Sequence, residues 1–187
     1  MKQWPDIVGL AILVAELPHV LRRRSDRARD QRADRSSLRV VWIAITCGIA
    51  AAYTTRAFGV GPRFETTPIV LAIAFATCVL GWALRQWAVV TLGRWFTVDV
   101  AIREGHALVT TGPFARVRHP SYTGLIAMFV GWSITFGGLV PAFALLVPAT
   151  GALLYRIHVE EAALAGAFGP SYDAYRARTK QLVPYVF

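Results

Sequence analysis

What most limits the fold of this chain is a series of apolar runs, each close to the roughly 20 residues that a helix needs to cross a bilayer. Residues 4–21 (WPDIVGLAILVAELPHVL) form a weak first run, and residues 38–58 a good second one. Residues 68–92 form a third, long enough for a tilted crossing. From Tyr122 to His158 the chain is apolar apart from Arg156, with FGGLVP in the middle. That length predicts two helices of about 18 residues each, joined by a tight turn at Gly137-Gly138. The expected fold is therefore all-α: an integral membrane bundle of about five transmembrane helices with a short helical hairpin near the C-terminus.

Composition agrees, since 55% of the 187 residues are hydrophobic and six are tryptophan, more than a soluble domain of this size carries. The net charge of +9 does not point to nucleic acid, because the arginines sit at the ends of apolar runs and not among aromatics on a polar face. They read as membrane-facing anchors. Cys47 and Cys78 fall inside apolar runs and are expected to be buried and inert. Asp6 and Glu16 interrupt the first run and no small-residue cleavage site follows, so the N-terminus reads as retained. We read residues 1–187 as one domain, with N-terminal spans and a basic loop in 1–92 and a cofactor-binding, catalytic half in 93–187.

Orientation follows from charge. The short loop RRRSDRARDQRADRSSLR (22–39) is rich in arginine, which places it in the cytoplasm by the positive-inside rule. Alternation then puts residues 59–67 and the Gly137-Gly138 turn outside, and residues 93–121 and the C-terminal tail inside. The two polar stretches with chemical potential, GPFARVRHPSYTG (112–124) and the segment from Arg156 onward, meet on the cytoplasmic side.

EGHALVTTGPF (104–114) has turn residues at Gly105 and Gly112-Pro113 around a short extended segment. His119-Pro120 sets an extended kink, so that Pro120 or Ser121 opens the fourth helix. Free amides at that helix start favour an anion, and Arg118 beside it strengthens the preference. In RIHVEE, Arg156 and Glu160 share a helical face while Glu161 is turned about 100° away. Adjacent carboxylates gain nothing as anchors at an anionic interface, which favours a site. Gly169-Pro170 then breaks the helix, and an amphipathic segment with Tyr172 and Tyr175 on one side can fold back as a lid. Each of these residues has a plainer reading: a loop-capping His106, phosphate-reaching Arg118 and Arg156, and belt tyrosines at Tyr122, Tyr172 and Tyr175. Glu16 with His19, and His158 with Glu161, have the spacing of dimetal helices, but the further bridging acids are missing. No metal site is expected, and Glu16 and His19 are placed in reach of Arg22 to Arg24.

The ordered series from His106 to Pro184 resembles the isoprenylcysteine carboxyl methyltransferase family, which is related to the phospholipid N-methyltransferases. It comprises a histidine followed by LVTTGPF, then RHPSYTG, an apolar hairpin, Arg156 ahead of the EE pair, and FGPSYDAYRARTKQLVP. LGRWFTVDV (92–100) is similar to the family's entry to the cofactor region. Phe114 departs from it, standing where a tyrosine is common. The resemblance implies S-adenosylmethionine as methyl donor, with S-adenosylhomocysteine as product, at a cytoplasmic site. The acceptor would be lipophilic and enter from the bilayer, most simply the carboxylate of an isoprenylcysteine or a similar lipid-like acid. It carries His106, Val109, Gly112, His119, Pro120, Tyr122 and Glu160 over as cofactor neighbours, and Arg118, Arg156 and Glu161 as residues facing the acceptor. A carboxylate acceptor needs an orienting cation and no base; an amine would need Glu160 or Glu161 as base. Phospholipid or amine N-methylation stays open, as does a sterol-reductase-like enzyme using NADPH, although the loop offers few basic residues for the extra phosphates. A non-catalytic scaffold that uses the basic loop on anionic lipid leaves the RHP and EE segments unexplained. Membrane lipids are expected partners, and exposed apolar faces on the last two spans permit a dimer without requiring one.

Overall fold

A computed structural model of the chain describes residues 3–22, 31–32, 36–96, 101–102, 105 and 107–184. Among these are six α-helices: α1 (Trp4–Arg22), α2 (Ser37–Ala57), α3 (Pro68–Leu92), α4 (Pro120–Ile134), α5 (Leu139–Phe168) and α6 (Pro170–Arg178). Two-residue strands β1 (Gln31–Arg32) and β2 (Ala101–Ile102) pair antiparallel. Helix limits are set locally. Thr67 caps α3 by accepting the Val70 amide at 3.3 Å, with Pro68 in the first turn. Pro120 and Pro170 open α4 and α6 in the same way. His119 stays out of the helical region, at φ −124° and ψ 55°, as a residue before proline tends to. Gly169 ends α5 at φ +50°, a conformation glycine adopts without penalty.

Main-chain hydrogen bonds between distant loops define two ends of the bundle. At one end, Phe64 N donates to Gly137 O and Leu139 N to Pro62 O, both at 3.0 Å, tying the α2–α3 loop to the α4–α5 turn. At the other, Arg118 N donates to Lys180 O at 2.8 Å and His119 N to Gln181 O at 3.0 Å. α4 therefore runs from end to end in only 15 residues, about 22 Å of helix. α5 starts at the first end and continues for 30 residues, about 45 Å. Arg156 and everything after it thus stand at and beyond the start of α4.

The two equal helices expected here are instead a short one and a long one. The turn lies where Gly137-Gly138 predicts it, but α5 does not stop at the charged residues, because those side chains find protein partners and helical periodicity carries on through them. Among the described residues three helices are long and apolar enough to cross a membrane: α2, α3 with its following 3-10 turn to Trp95, and α5. The expected count was five; α4, at 15 residues, is too short by length alone. The outer faces of the long helices are strongly apolar, with Ile43, Ile69, Leu80, Val90 and Val147 all exposed, as a lipid-facing surface requires. Cys47 is exposed on this scaffold and Cys78 is half-buried, so neither is the fully buried cysteine expected.

α4 is the centre of the bundle, packed against α1, α3 and α5. α4 carries no exposed residue, so of the apolar faces expected on the last two spans only that of α5 is present, at Phe143 and Val147. A Cβ on Gly81 would sit 2.6 Å from the Gly124 carbonyl oxygen, and one on Gly131 2.5 Å from that of Ala74. The backbones of α3 and α4 touch, as small residues allow in membrane bundles. α1 leans on α4 through Trp132, whose indole donates to Pro5 O at 2.8 Å. Phe129, Trp132, Phe136, Leu145 and Leu153 fill the core.

Candidate functional site

Between α1, α2, α4 and α5 lies a cavity of about 610 Å³. It runs from Asp6, Tyr53 and Trp132 at the first end of the bundle to Arg118, Tyr122, Arg156, Glu160 and Tyr172 at the second. Ile12, Val41, Ile45 and Phe129 make its middle apolar, so the cavity is oily along its length and polar at one end.

The polar end is assembled by the overshoot of α5 past the start of α4. One helical turn apart on α5, Arg156 and Glu160 both reach Tyr122 of α4. The Tyr122 hydroxyl donates to Glu160 Oε2 at 2.8 Å and accepts from Arg156 Nε at 2.9 Å. Arg156 Nη1 also donates to Ser37 Oγ at 3.0 Å, which links the start of α2 to the site. The neighbouring Glu161, rotated away as the helical pitch requires, faces a different set. Its Oε1 lies 2.7 Å from Arg118 Nε and 3.2 Å from His119 Nε2, and Arg176 Nη2 approaches Oε2 at 3.9 Å. Arg118 further donates to Thr179 O at 2.5 Å, pinning the chain after α6.

α6 closes this end. Tyr172 and Tyr175, one turn apart, are buried and both line the cavity. The Tyr175 hydroxyl donates to Phe114 O at 2.8 Å, and burial pushes its pKa up to about 12. The Tyr172 phenol is likewise raised, by burial and then by the nearby Glu161 carboxylate, so it stays protonated. The fold-back lid suggested by Gly169-Pro170 is present, and these tyrosines are site walls and not belt residues.

Of the residues singled out in the sequence, Arg118, His119, Tyr122, Arg156, Glu160 and Val109 meet at the cavity. Gly112, Pro120 and Glu161 are not part of its lining. Gly112, at φ +59°, backs onto Thr91, Pro120 serves the start of α4, and Glu161 is spent on its cations. His106 lies outside the described residues. The side chains of His19 and of Arg22 to Arg24, the partners expected for Glu16, lie outside the described residues. Arg85 of α3 takes Glu16 in a two-pronged contact, Nε to Oε1 and Nη2 to Oε2, each 2.6 Å, and Arg85 Nη1 donates to Ser121 Oγ at 2.7 Å. Both Glu16 and Arg85 line the cavity. The sequence reading missed Arg85; the available signal was an arginine about two turns inside an apolar run, a position that is costly unless it serves a site.

Fold and site together define an intramembrane helical bundle with an elongated lipid-compatible cavity ending in a cluster of arginine, tyrosine and carboxylate. The sequence matches the isoprenylcysteine carboxyl methyltransferase (ICMT) family over residues 72–166, and the chain belongs to that family. It is 38% identical over 110 residues to protein-S-isoprenylcysteine O-methyltransferase B of Arabidopsis thaliana, covering 58% of this chain and 56% of the relative. It is 36% identical over 109 residues to the protein-S-isoprenylcysteine O-methyltransferase of Schizosaccharomyces pombe, covering 57% of this chain and 46% of that one. The chain spans about half the length of the curated relatives it matches. Its fold is similar to the structure of the eukaryotic intramembrane Ras methyltransferase ICMT, with a TM-score of 0.58 and 22% identity over 98% of this chain and 63% of that one.

Proposed function

We propose that this chain is an S-adenosylmethionine-dependent methyltransferase that esterifies the carboxylate of an isoprenylcysteine or a similar lipid-like acid. The observation that carries the reading is a cavity that is apolar along its length and ends in the Arg156–Tyr122–Glu160 cluster. A lipophilic acid fits such a shape with its chain in the oily part and its carboxylate at the cluster. The residues also suit the methyl donor. Glu160 meets only the Tyr122 hydroxyl among the described residues, which leaves acceptor capacity for ligand hydroxyls, and the buried lid adds polar groups. When bound, S-adenosylmethionine supplies an electrophilic methyl group on a sulfonium. The protein's task is then alignment, which is worth most when the reacting atoms are held about 3 to 3.5 Å apart. We assign Arg156 to orient the acceptor carboxylate, held in place by Ser37 and Tyr122, and Glu160, His119 and Val109 to the donor. Arg118 and Glu161 brace the lid. His106, Gly112 and Pro120 stay with the donor on the family resemblance.

Two features favour a carboxylate acceptor over an amine. Arg156 lines the cavity and brings a positive charge to its polar end, and Glu161, the other candidate base, is already engaged by Arg118, His119 and Arg176. For topology, we infer that α1 and α4 cross with the other three helices, since α4 joins the two ends of the bundle and is sheathed by protein, which frees its length from bilayer thickness. The basic loop at 22–39 then puts the site on the cytoplasmic side. One domain over 1–187 accommodates this, because the cavity draws its walls from both halves. Transfer of labelled methyl from S-adenosylmethionine to S-farnesylcysteine by the detergent-purified chain tests the reading. Transfer to a phosphatidylethanolamine vesicle instead, or binding of NADPH in place of S-adenosylhomocysteine, would overturn it.

A further inference from the structure

Tyr172 has no exposed surface, and its hydroxyl finds no hydrogen-bond partner among the described residues. Buried polar atoms in native proteins are paired in the large majority of cases, and an orphan hydroxyl costs stability as long as it stays unmet. Tyr172 lines the cavity. Its companion Tyr175, one turn along α6 and with its ring centroid 6.1 Å away, has spent its own hydroxyl on the Phe114 carbonyl. The two tyrosines share one helix face and one burial, yet one is satisfied by the protein and the other is left for something that enters the cavity.

Resting on the methyltransferase reading above, we propose that the Tyr172 hydroxyl is a binding group for the methyl donor, donating a hydrogen bond to an uncharged acceptor atom of its nucleoside half. The placement selects this ligand over the lipid acid. Tyr172 stands at the polar end, where the charges acting on it come from Glu161, Arg118, Glu160 and Arg176. Glu160, assigned above to the donor, is among these neighbours, which puts the phenol on the donor's side, where its O–H can donate to a neutral ribose oxygen or ring nitrogen. Other polar groups around the lid are engaged with the protein: Thr179 Oγ1 donates to Tyr175 O at 2.6 Å, and Arg118 holds Glu161. Binding of the nucleoside would thus satisfy the lid's orphan group and draw α6 onto the site.

The test is calorimetric titration of S-adenosylhomocysteine and, separately, 5′-methylthioadenosine into the full-length detergent-purified protein, with thermal melting of the unliganded samples. Tyr172→Phe is expected to melt at or above the wild-type temperature, because it removes an unmet polar group. It should bind both nucleosides about tenfold more weakly, in line with one lost hydrogen bond. Tyr175→Phe should do the reverse, melting lower while losing less affinity. Equal affinity of Tyr172→Phe and wild type for both ligands, or a lowered melting temperature with affinity intact, would overturn the proposal and make Tyr172 a packing residue. A wild-type protein that binds neither nucleoside would instead sink the methyltransferase reading, and the Tyr172 assignment with it.

Discussion

Glu160 and Glu161 are adjacent in sequence and live in opposite settings. Glu160 opens onto the cavity and meets one neutral partner, the Tyr122 hydroxyl. Glu161 is turned to the other side of α5, with its side chain 10% exposed, and gathers Arg118, His119 and Arg176. A rotation of about 100° per residue separates a group available to a ligand from one consumed in holding the lid. The lesson is that a double-acid motif at a membrane boundary need not be a pair of equivalent catalytic groups. One acid can be chemistry and the other architecture.

The largest expected effect breaks the architectural half. Glu161→Gln leaves Arg118, whose side chain is only 11% exposed, without its counter-charge, and removing one partner of a buried pair costs about 3–5 kcal/mol. Melting of the unliganded protein should fall by roughly 10 °C, with α6 becoming protease-sensitive. A small shift in melting with complete loss of turnover would instead place Glu161 among the reacting groups and erase the contrast with Glu160.

Glu160→Gln sharpens the other half. It keeps the acceptor for Tyr122 and removes the charge, so melting should change by about 1 kcal/mol or less, while S-adenosylhomocysteine affinity falls on the order of tenfold. Next in size is Tyr122→Phe, which deletes the atom shared by Glu160 and Arg156. With two hydrogen bonds lost at 2.8 Å and 2.9 Å, both ligand affinity and acceptor KM should worsen, each several-fold. If only one of the two moves, the hydroxyl serves a single ligand and the cluster is divided where we have joined it.

Much of this was legible in the sequence because it is local. The start of α4 is written in His119-Pro120, the turn in Gly137-Gly138, the fold-back of α6 in Gly169-Pro170, and the separation of Glu160 from Glu161 in helical pitch. What could not be read is what depends on elements meeting across the bundle. Arg85 and Glu16 lie on helices far apart in sequence and pair only because α1 and α3 flank the same cavity. The unequal lengths of α4 and α5 escaped for a related reason: an apolar run of two helices gives its total length, while the point where the second helix leaves the bilayer is decided by tertiary partners such as Tyr122 and Ser37. The likeness of Tyr172 and Tyr175 in sequence also concealed their difference, since only packing decides which hydroxyl is met.

The smallest effect tests the finest division, between donor-facing and acceptor-facing residues. Ser37 is fully buried and accepts from Arg156 Nη1 at 3.0 Å, on the side of the guanidinium away from Tyr122. Ser37→Ala removes about one hydrogen bond, a loss of roughly 1 kcal/mol, and loosens the orientation of Arg156 without touching Glu160. If Arg156 positions the acceptor carboxylate, KM for S-farnesylcysteine should rise about two- to fivefold while S-adenosylhomocysteine affinity stays at the wild-type value. A matching fall in S-adenosylhomocysteine affinity would move Arg156 to the donor side. Carboxylate orientation would then fall to Arg85 or Arg118, which also line the cavity, and the pairing of Arg85 with Glu16 or of Arg118 with Glu161 would need to open for either to serve.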